Sequence, residues 1–185
     1  MMNKFLFISL ILLSACADTS EETSAIDIPS VSQKSVSVAP PSNASNSYDP
    51  FTDVEMTRHN LSITGIGELS PWKDDGMGGY MSITDYHLLS NGNNIAYYLT
   101  GSGPYNISRI DLVLNINGEG KPEALKEFAD AVRRTYDLLN MPENPALVQA
   151  AHSGQQKKAT KSKYTEAVSL DRSNIETWKF SLTAI

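Results

Sequence analysis

Tyr105-Asn106-Ile107-Ser108-Arg109-Ile110-Asp111-Leu112-Val113-Leu114-Asn115-Ile116-Asn117 is the segment that decides the architecture. Ile110, Leu112, Leu114 and Ile116 fall on one side of an extended chain, and Arg109, Asp111, Val113 and Asn115 on the other. Period two with one apolar face describes a strand that is covered on one side and wet on the other. Asn117-Gly118-Glu119-Gly120 ends it with turn residues. The period then changes. From Pro122 to Leu139, the residues Leu125, Phe128, Ala129, Val132, Tyr136 and Leu139 recur at helical spacing. Pro122 suits the first helical turn, where its missing N–H would be unbonded anyway. Glu123 sits near the positive end of the helix dipole, and Asp130 and Arg134 have the i,i+4 spacing of an ion pair. A one-faced strand followed by a one-striped helix predicts that the two pack on each other.

Downstream, Pro145 to Ser153 is compatible with a short second helix burying Leu147, Val148 and Ala151. Gly154 to Lys163 reads as a polar loop. Tyr164 to Leu170 and Glu176 to Ala184 read as a hairpin around Asp171-Arg172-Ser173-Asn174. In its second arm Trp178, Phe180, Leu182 and Ala184 alternate with Thr177, Lys179, Ser181 and Thr183. That arm could lie at a sheet edge, where Lys179 would help block stray pairing.

Upstream, Leu61 to Ile66 is a weak strand, and Ser70 to Gly79 is a loop holding three glycines and a proline. Tyr80 to Leu89 and Ile95 to Thr100 form a hairpin, with Asn91-Gly92 tolerating the left-handed turn conformation. The expectation is an α+β domain, an antiparallel sheet packed on one face by one main helix and a possible short second helix. Residues 48–185 make one such domain, long enough for a substantial core.

The leader carries a different signal. Met1 to Lys4 is short with one positive charge, Phe5 to Leu13 is apolar except for Ser9, and Leu13-Ser14-Ala15-Cys16 follows. Cys16 is the single cysteine of the chain. The apolar stretch is far below the roughly 20 residues of a membrane span and fits an export signal. These positions resemble the lipobox of bacterial lipoproteins. That resemblance implies a signal peptide over residues 1–15, cleavage before Cys16 and acylation of Cys16. Ala17 after the cysteine implies the outer membrane facing the periplasm, while Asp18 keeps the inner membrane open. With no second cysteine, an intramolecular disulfide is excluded. Residues 16–47 are rich in Ser, Thr, Asn and Pro and bury too little apolar area to repay ordering. They read as a flexible linker with a mean reach of about 30 Å.

No segment carries a strong catalytic or metal motif. His59, His87 and His152 share no ligand spacing. Asp85 and His87 fall on one face of a strand and would suit a base and its orienter, without any nucleophile motif beside them. Asp74-Asp75-Gly76 offers two carboxylates without an EF-hand pattern, so no metal is assigned. Trp72, Asp74, Asp75 and Tyr80 around the glycine loop, and Lys157, Lys158, Lys161 and Lys163, make up the candidate interaction surface. A net charge of −6 argues against nucleic acid.

These readings predict a noncatalytic, membrane-tethered envelope lipoprotein with no cofactor, binding membrane lipid through Cys16 and another envelope protein through its domain. Accessory subunits and immunity-type proteins fit that description. The alternative is a small-ligand or lipid-binding module, with Tyr97, Tyr98, Tyr105, Phe128, Trp178 and Phe180 lining a cavity between helix and sheet. A hydrolase built on Asp85 and His87 is the third reading.

Overall fold

The computed structural model describes residues 48–89 and 92–185. The leader, Cys16, the linker and Asn91 of the expected turn lie outside the described residues. Within them the chain forms α1 (Val54–Ser62), β1 (Lys73–Asp74), β2 (Tyr80–Ile83), β3 (His87–Leu88), β4 (Asn94–Gly101), β5 (Arg109–Ile116), α2 (Lys121–Leu138), α3 (Pro145–Ser153), β6 (Lys157–Thr160), β7 (Tyr164–Asp171) and β8 (Glu176–Ala184). The strands build one eight-stranded antiparallel sheet in the order β1-β2-β4-β5-β8-β7-β6, with β3 also paired to β4. No helix among the described residues is long and apolar enough to cross a membrane.

The predicted strand and helix meet as expected. Ile110, Leu112 and Leu114 of β5 are buried, in register with Leu99, Tyr97 and Ile95 of β4 and with Leu182, Phe180 and Trp178 of β8. Against this surface α2 buries Ala124, Leu125, Phe128, Ala129, Val132 and Tyr136. Full burial of each large side chain stabilises by roughly 1.5–3 kcal/mol, so this contact dominates the core. The α3 segment packs beside α2. Asn144 caps it by accepting the Ala146 N–H at 3.2 Å, and Gly154 ends it in the left-handed conformation at φ 61°. Both helices cover the same face, and the fold is α+β.

Four local expectations are corrected. Leu61 to Ile66 is not a strand. Leu61 and Ser62 form the end of α1, where Val54, Thr57 and Leu61 make a narrow buried stripe; the polar Arg58-His59-Asn60 before Leu61 hides the helical spacing. The Tyr80–Leu89 arm is broken in two. Between β2 and β3, Thr84 Oγ1 accepts the Tyr97 N–H at 3.0 Å, so a side chain replaces a backbone partner in the ladder. Gly154 to Lys163 is not all loop, because Lys157–Thr160 pairs with Thr165–Val168 as the outer strand β6. Finally β8 is not an edge. It lies between β5 and β7, since alternation reveals which face a strand buries and says nothing about its neighbours. The true edges, β1 and β6, are short and bear Lys73, Lys157 and Lys158, devices that discourage edge-to-edge pairing.

Two smaller differences follow the same logic. The strand of the opening segment begins only at Arg109. Residues 103–106 turn tightly through a Gly103–Asn106 bridge, and the Ile107 N–H donates to the Phe51 carbonyl. Asp130 pairs with Arg133 at 2.8 Å, three residues on, and Arg133 also faces Glu143 at 3.7 Å.

Candidate functional site

The helices leave the second sheet face uncovered. On β4 it presents Tyr98 and Thr100, on β5 Asp111, Val113 and Asn115, and on β8 Thr177, Lys179 and Ser181. These are the outward positions of the alternation, so the same pattern that builds the core also writes this surface. With Tyr86 and the β7–β8 turn (Ser173, Asn174, Ile175), all of these but Ser181 line a shallow groove of about 410 Å³.

Its polar side chains hold one another in place. Arg109 Nε donates to Asp111 Oδ1 at 2.8 Å and Arg109 Nη2 to Ser181 Oγ at 3.0 Å, while Ser181 Oγ donates to Asp111 Oδ1 at 2.5 Å. A second chain runs from Thr177 Oγ1 to Asn115 Oδ1 (3.0 Å) and from Asn115 Nδ2 to Asn94 Oδ1 (2.9 Å). At the rim Tyr98 OH donates to Tyr86 OH at 2.9 Å. Partial burial, then the neighbouring Tyr86 hydroxyl, push the Tyr98 hydroxyl up to about 12, so it stays protonated at neutral pH. Lys179 lies 3.9 Å from Asp171, a loose, half-exposed pair. The result is a preformed surface of hydroxyl and amide groups, one aromatic pair and two ion pairs, Arg109 with Asp111 and Lys179 with Asp171.

The eight residues first singled out do not form one site. Trp72, Asp74, Asp75 and Tyr80 lie around β1 and β2, whereas Lys157 and Lys158 are on β6, at the other edge of the sheet. Six strand spacings separate β1 from β6, about 30 Å. The Trp72 and Tyr80 rings pack at 6.0 Å, and Trp72 Nε1 donates to the Gly103 carbonyl at 3.3 Å, so this pair anchors the start of β2 to the β4–β5 turn. Asp74 Oδ1 accepts the Gly76 N–H, and Asp75 Oδ1 those of Met77 and Gly79. The latter two bonds hold the Asp75 carboxyl below the usual range. No group of three or more potential metal-ligating side chains occurs among the described residues. Lys161 faces the buried Glu166 at 3.6 Å, and Lys163 lies in the adjoining β6–β7 turn.

The Asp85/His87 pairing also separates. Asp85 lines a groove with Glu68 and Lys73, and His87 a different, 60 Å³ hollow with Glu127 and Arg134. The aromatic set proposed for an internal cavity is likewise divided. Tyr97, Phe128, Trp178 and Phe180 are packed in the core, Tyr98 belongs to the open face, and Tyr105 is 84% exposed in a turn.

Sequence reading missed Tyr86, Asn115, Thr177 and Asp111 as a group. The signal was the polar half of each alternating strand, but only the strand order brings those halves together. Comparison with protein-family models, curated proteins and solved structures yields no match to this chain.

Proposed function

We propose that the chain is a noncatalytic envelope lipoprotein, tethered through acylated Cys16, that binds another envelope protein with its uncovered sheet face. The lipobox-like leader supports the tether, with the outer membrane as the destination favoured by Ala17. The carrying observation for binding is that helices cover one face of the sheet while the other keeps a prearranged polar and aromatic groove. Side chains already fixed by mutual hydrogen bonds lose little entropy on association, which favours affinity. Tyr86 and Tyr98 supply the amphipathic aromatic surface characteristic of binding centres. An accessory subunit of an envelope assembly and an immunity-type inhibitor both fit.

The test places a photo-crosslinking side chain at Tyr86 in intact cells, with Lys126 on the exposed side of α2 as control. A discrete adduct at 86 that depends on Cys16 and is lost on Tyr98→Ala supports the reading. Equal adducts at 86 and 126, or none at 86, overturns it. A small-ligand reading rests on the groove's volume, which lies within the roughly 300–1,000 Å³ range of ligand pockets. Native mass spectrometry of the purified protein would reveal a retained molecule if that reading is correct.

A further inference from the structure

The two most exposed large hydrophobic side chains among the described residues are Met77, 92% exposed, and Tyr105, 84% exposed. They stand in different turns, Met77 between β1 and β2 and Tyr105 between β4 and β5. Register brings the turns to one end of the sheet, because Tyr80 pairs with Gly101 and Thr100 with Arg109. Trp72, just ahead of β1, donates Nε1 to the Gly103 carbonyl of the second turn and packs its ring 6.0 Å from that of Tyr80, which ends the first.

Neither side chain is exposed by slack. Asp75 ties down the Met77 and Gly79 amides, and Asp75 N–H donates to the Gly79 carbonyl at 2.9 Å. Asn106 Nδ2 donates to Ser102 Oγ at 3.1 Å across the other turn. Two stiff turns therefore hold apolar tips in solvent.

The same end receives the chain from the proposed anchor. The described chain starts at Tyr48, and Phe51 is fixed there by its carbonyl, which accepts the Ile107 N–H at 2.8 Å, and by its ring, 6.1 Å from that of Tyr164. Leu88, 73% exposed, is the counterexample at the opposite end, where no tether enters.

We propose that the sheet end bearing Met77 and Tyr105 rests on the lipid surface, with these two side chains inserted at the headgroup level. This rests on the reading of Cys16 as the lipid anchor. Tyrosine favours the membrane interface because its ring is apolar and its hydroxyl is wet. The linker holds the domain at an effective concentration in the millimolar range beside the bilayer, so a shallow contact of two side chains suffices. Charge does not drive it. Lys73, Arg109, Lys161 and Lys163 at this end are matched by Asp49, Asp53, Asp74 and Asp75, so the contact persists at high salt. It also orients the molecule, with the sheet strands steep to the membrane and the open face accessible from the side.

The chain supplies its own reporter. Trp72 lies at this end, whereas Trp178 is buried in the core in register with Leu114, towards the other end of the sheet. The protein purified from membranes is reconstituted into vesicles of phosphatidylethanolamine and phosphatidylglycerol carrying acyl-chain bromines, which quench nearby tryptophan. Flotation of the same samples reports the anchor separately. The expected result is quenching about twofold stronger in the native chain than in the Met77→Ser/Tyr105→Ser variant, at equal flotation and at low and high salt. Equal quenching in the two, or none, while both float, overturns the inference and leaves the anchor intact. Loss of quenching in salt overturns it in favour of a charge contact. Failure to float, with no acyl group on Cys16, overturns both readings. A concentration-dependent dimer abolished by Tyr105→Ser assigns this end to a second copy instead and overturns the lipid contact.

Discussion

The Tyr136 hydroxyl donates to Glu166 Oε2 at 2.6 Å, joining α2 to β7 through a carboxylate with no solvent exposure. Asn144 Nδ2 donates to the other oxygen at 2.5 Å, and Lys161 faces it at 3.6 Å. Removing one partner of a buried charged group costs more than the bond contributed, because the remaining partner stays desolvated. Tyr136→Phe is therefore expected to lower unfolding free energy by about 1–3 kcal/mol in urea titrations. In a Glu166→Leu background the same change should cost distinctly less, since no carboxylate is left wanting. Equal costs in both backgrounds would refute the coupling.

Alkaline pH tests the interior tyrosines. Tyr97 OH lies 2.7 Å from Thr135 Oγ1, and burial pushes Tyr97 up to about 12 from 10.0. Burial and the Glu166 carboxylate push Tyr136 up as well. A folded-state pKa raised above the unfolded one contributes stability that is whole below the unfolded pKa and lost as pH rises towards the folded one. For Tyr97 the window is pH 10 to about 12, and the loss across it is about 3 kcal/mol. Stability measured against pH should fall steeply there, and less steeply in Tyr97→Phe.

Gly101 tests the contact of Trp72 with the β4–β5 turn. A Cβ there would overlap the Asn106 carbonyl oxygen and come within 2.9 Å of Trp72 Cζ2. Gly101→Ala should destabilise by about 1–3 kcal/mol and alter Trp72 emission. Gly103→Ala, whose Cβ would meet only the Asn106 side chain at 3.2 Å, should cost less.

Asn93 tests the entry to α2. It is fully buried, accepts the Asn117 and Gly118 N–H groups at 3.0 and 3.1 Å, and donates to the Glu119 carbonyl at 2.9 Å. Asn93→Ala leaves all three backbone groups without this partner, for an expected loss of about 2–3 kcal/mol and faster amide exchange at 117 and 118. Asn93→Asp keeps both acceptor bonds, and protection at those amides should survive.

Lys179→Glu separates stability from binding. Its pairing with Asp171 is long and half-exposed, so reversal should change stability by less than about 1 kcal/mol. On the proposed binding face it should abolish the adduct at position 86. An undiminished adduct would remove Lys179 from the contact.

Strong periodicity made β5, α2 and β8 readable, because Leu112, Phe128 and Phe180 each recur within a one-faced pattern. Weak or mixed patterns were not. Val54, Thr57 and Leu61 carry α1 on three positions, and Lys157-Lys158-Ala159-Thr160 looks like loop because an edge strand has little to bury. The burial of Glu166 has no local signature, since Tyr136 and Asn144, which donate to it, are 30 and 22 residues away. The wet face was anticipated strand by strand. Its groove was not, because Asp111 meets Ser181 across 70 residues of sequence and only the strand order brings them together.

That order also governs how the chain can fold. The meander ending in β5 and the hairpin of β6 and β7 touch through β8, which follows both in sequence. A polypeptide made N-terminus first has no partner for the inner edge of β5 until Glu176–Ala184 has been added. The native pairing joins residues as distant as Arg109 and Ser181, 72 positions apart, and such non-local pairing slows folding. The late strand thus acts as a keystone. Until it is in place the two halves of the sheet stay unjoined, and its pairing on both sides closes them into one.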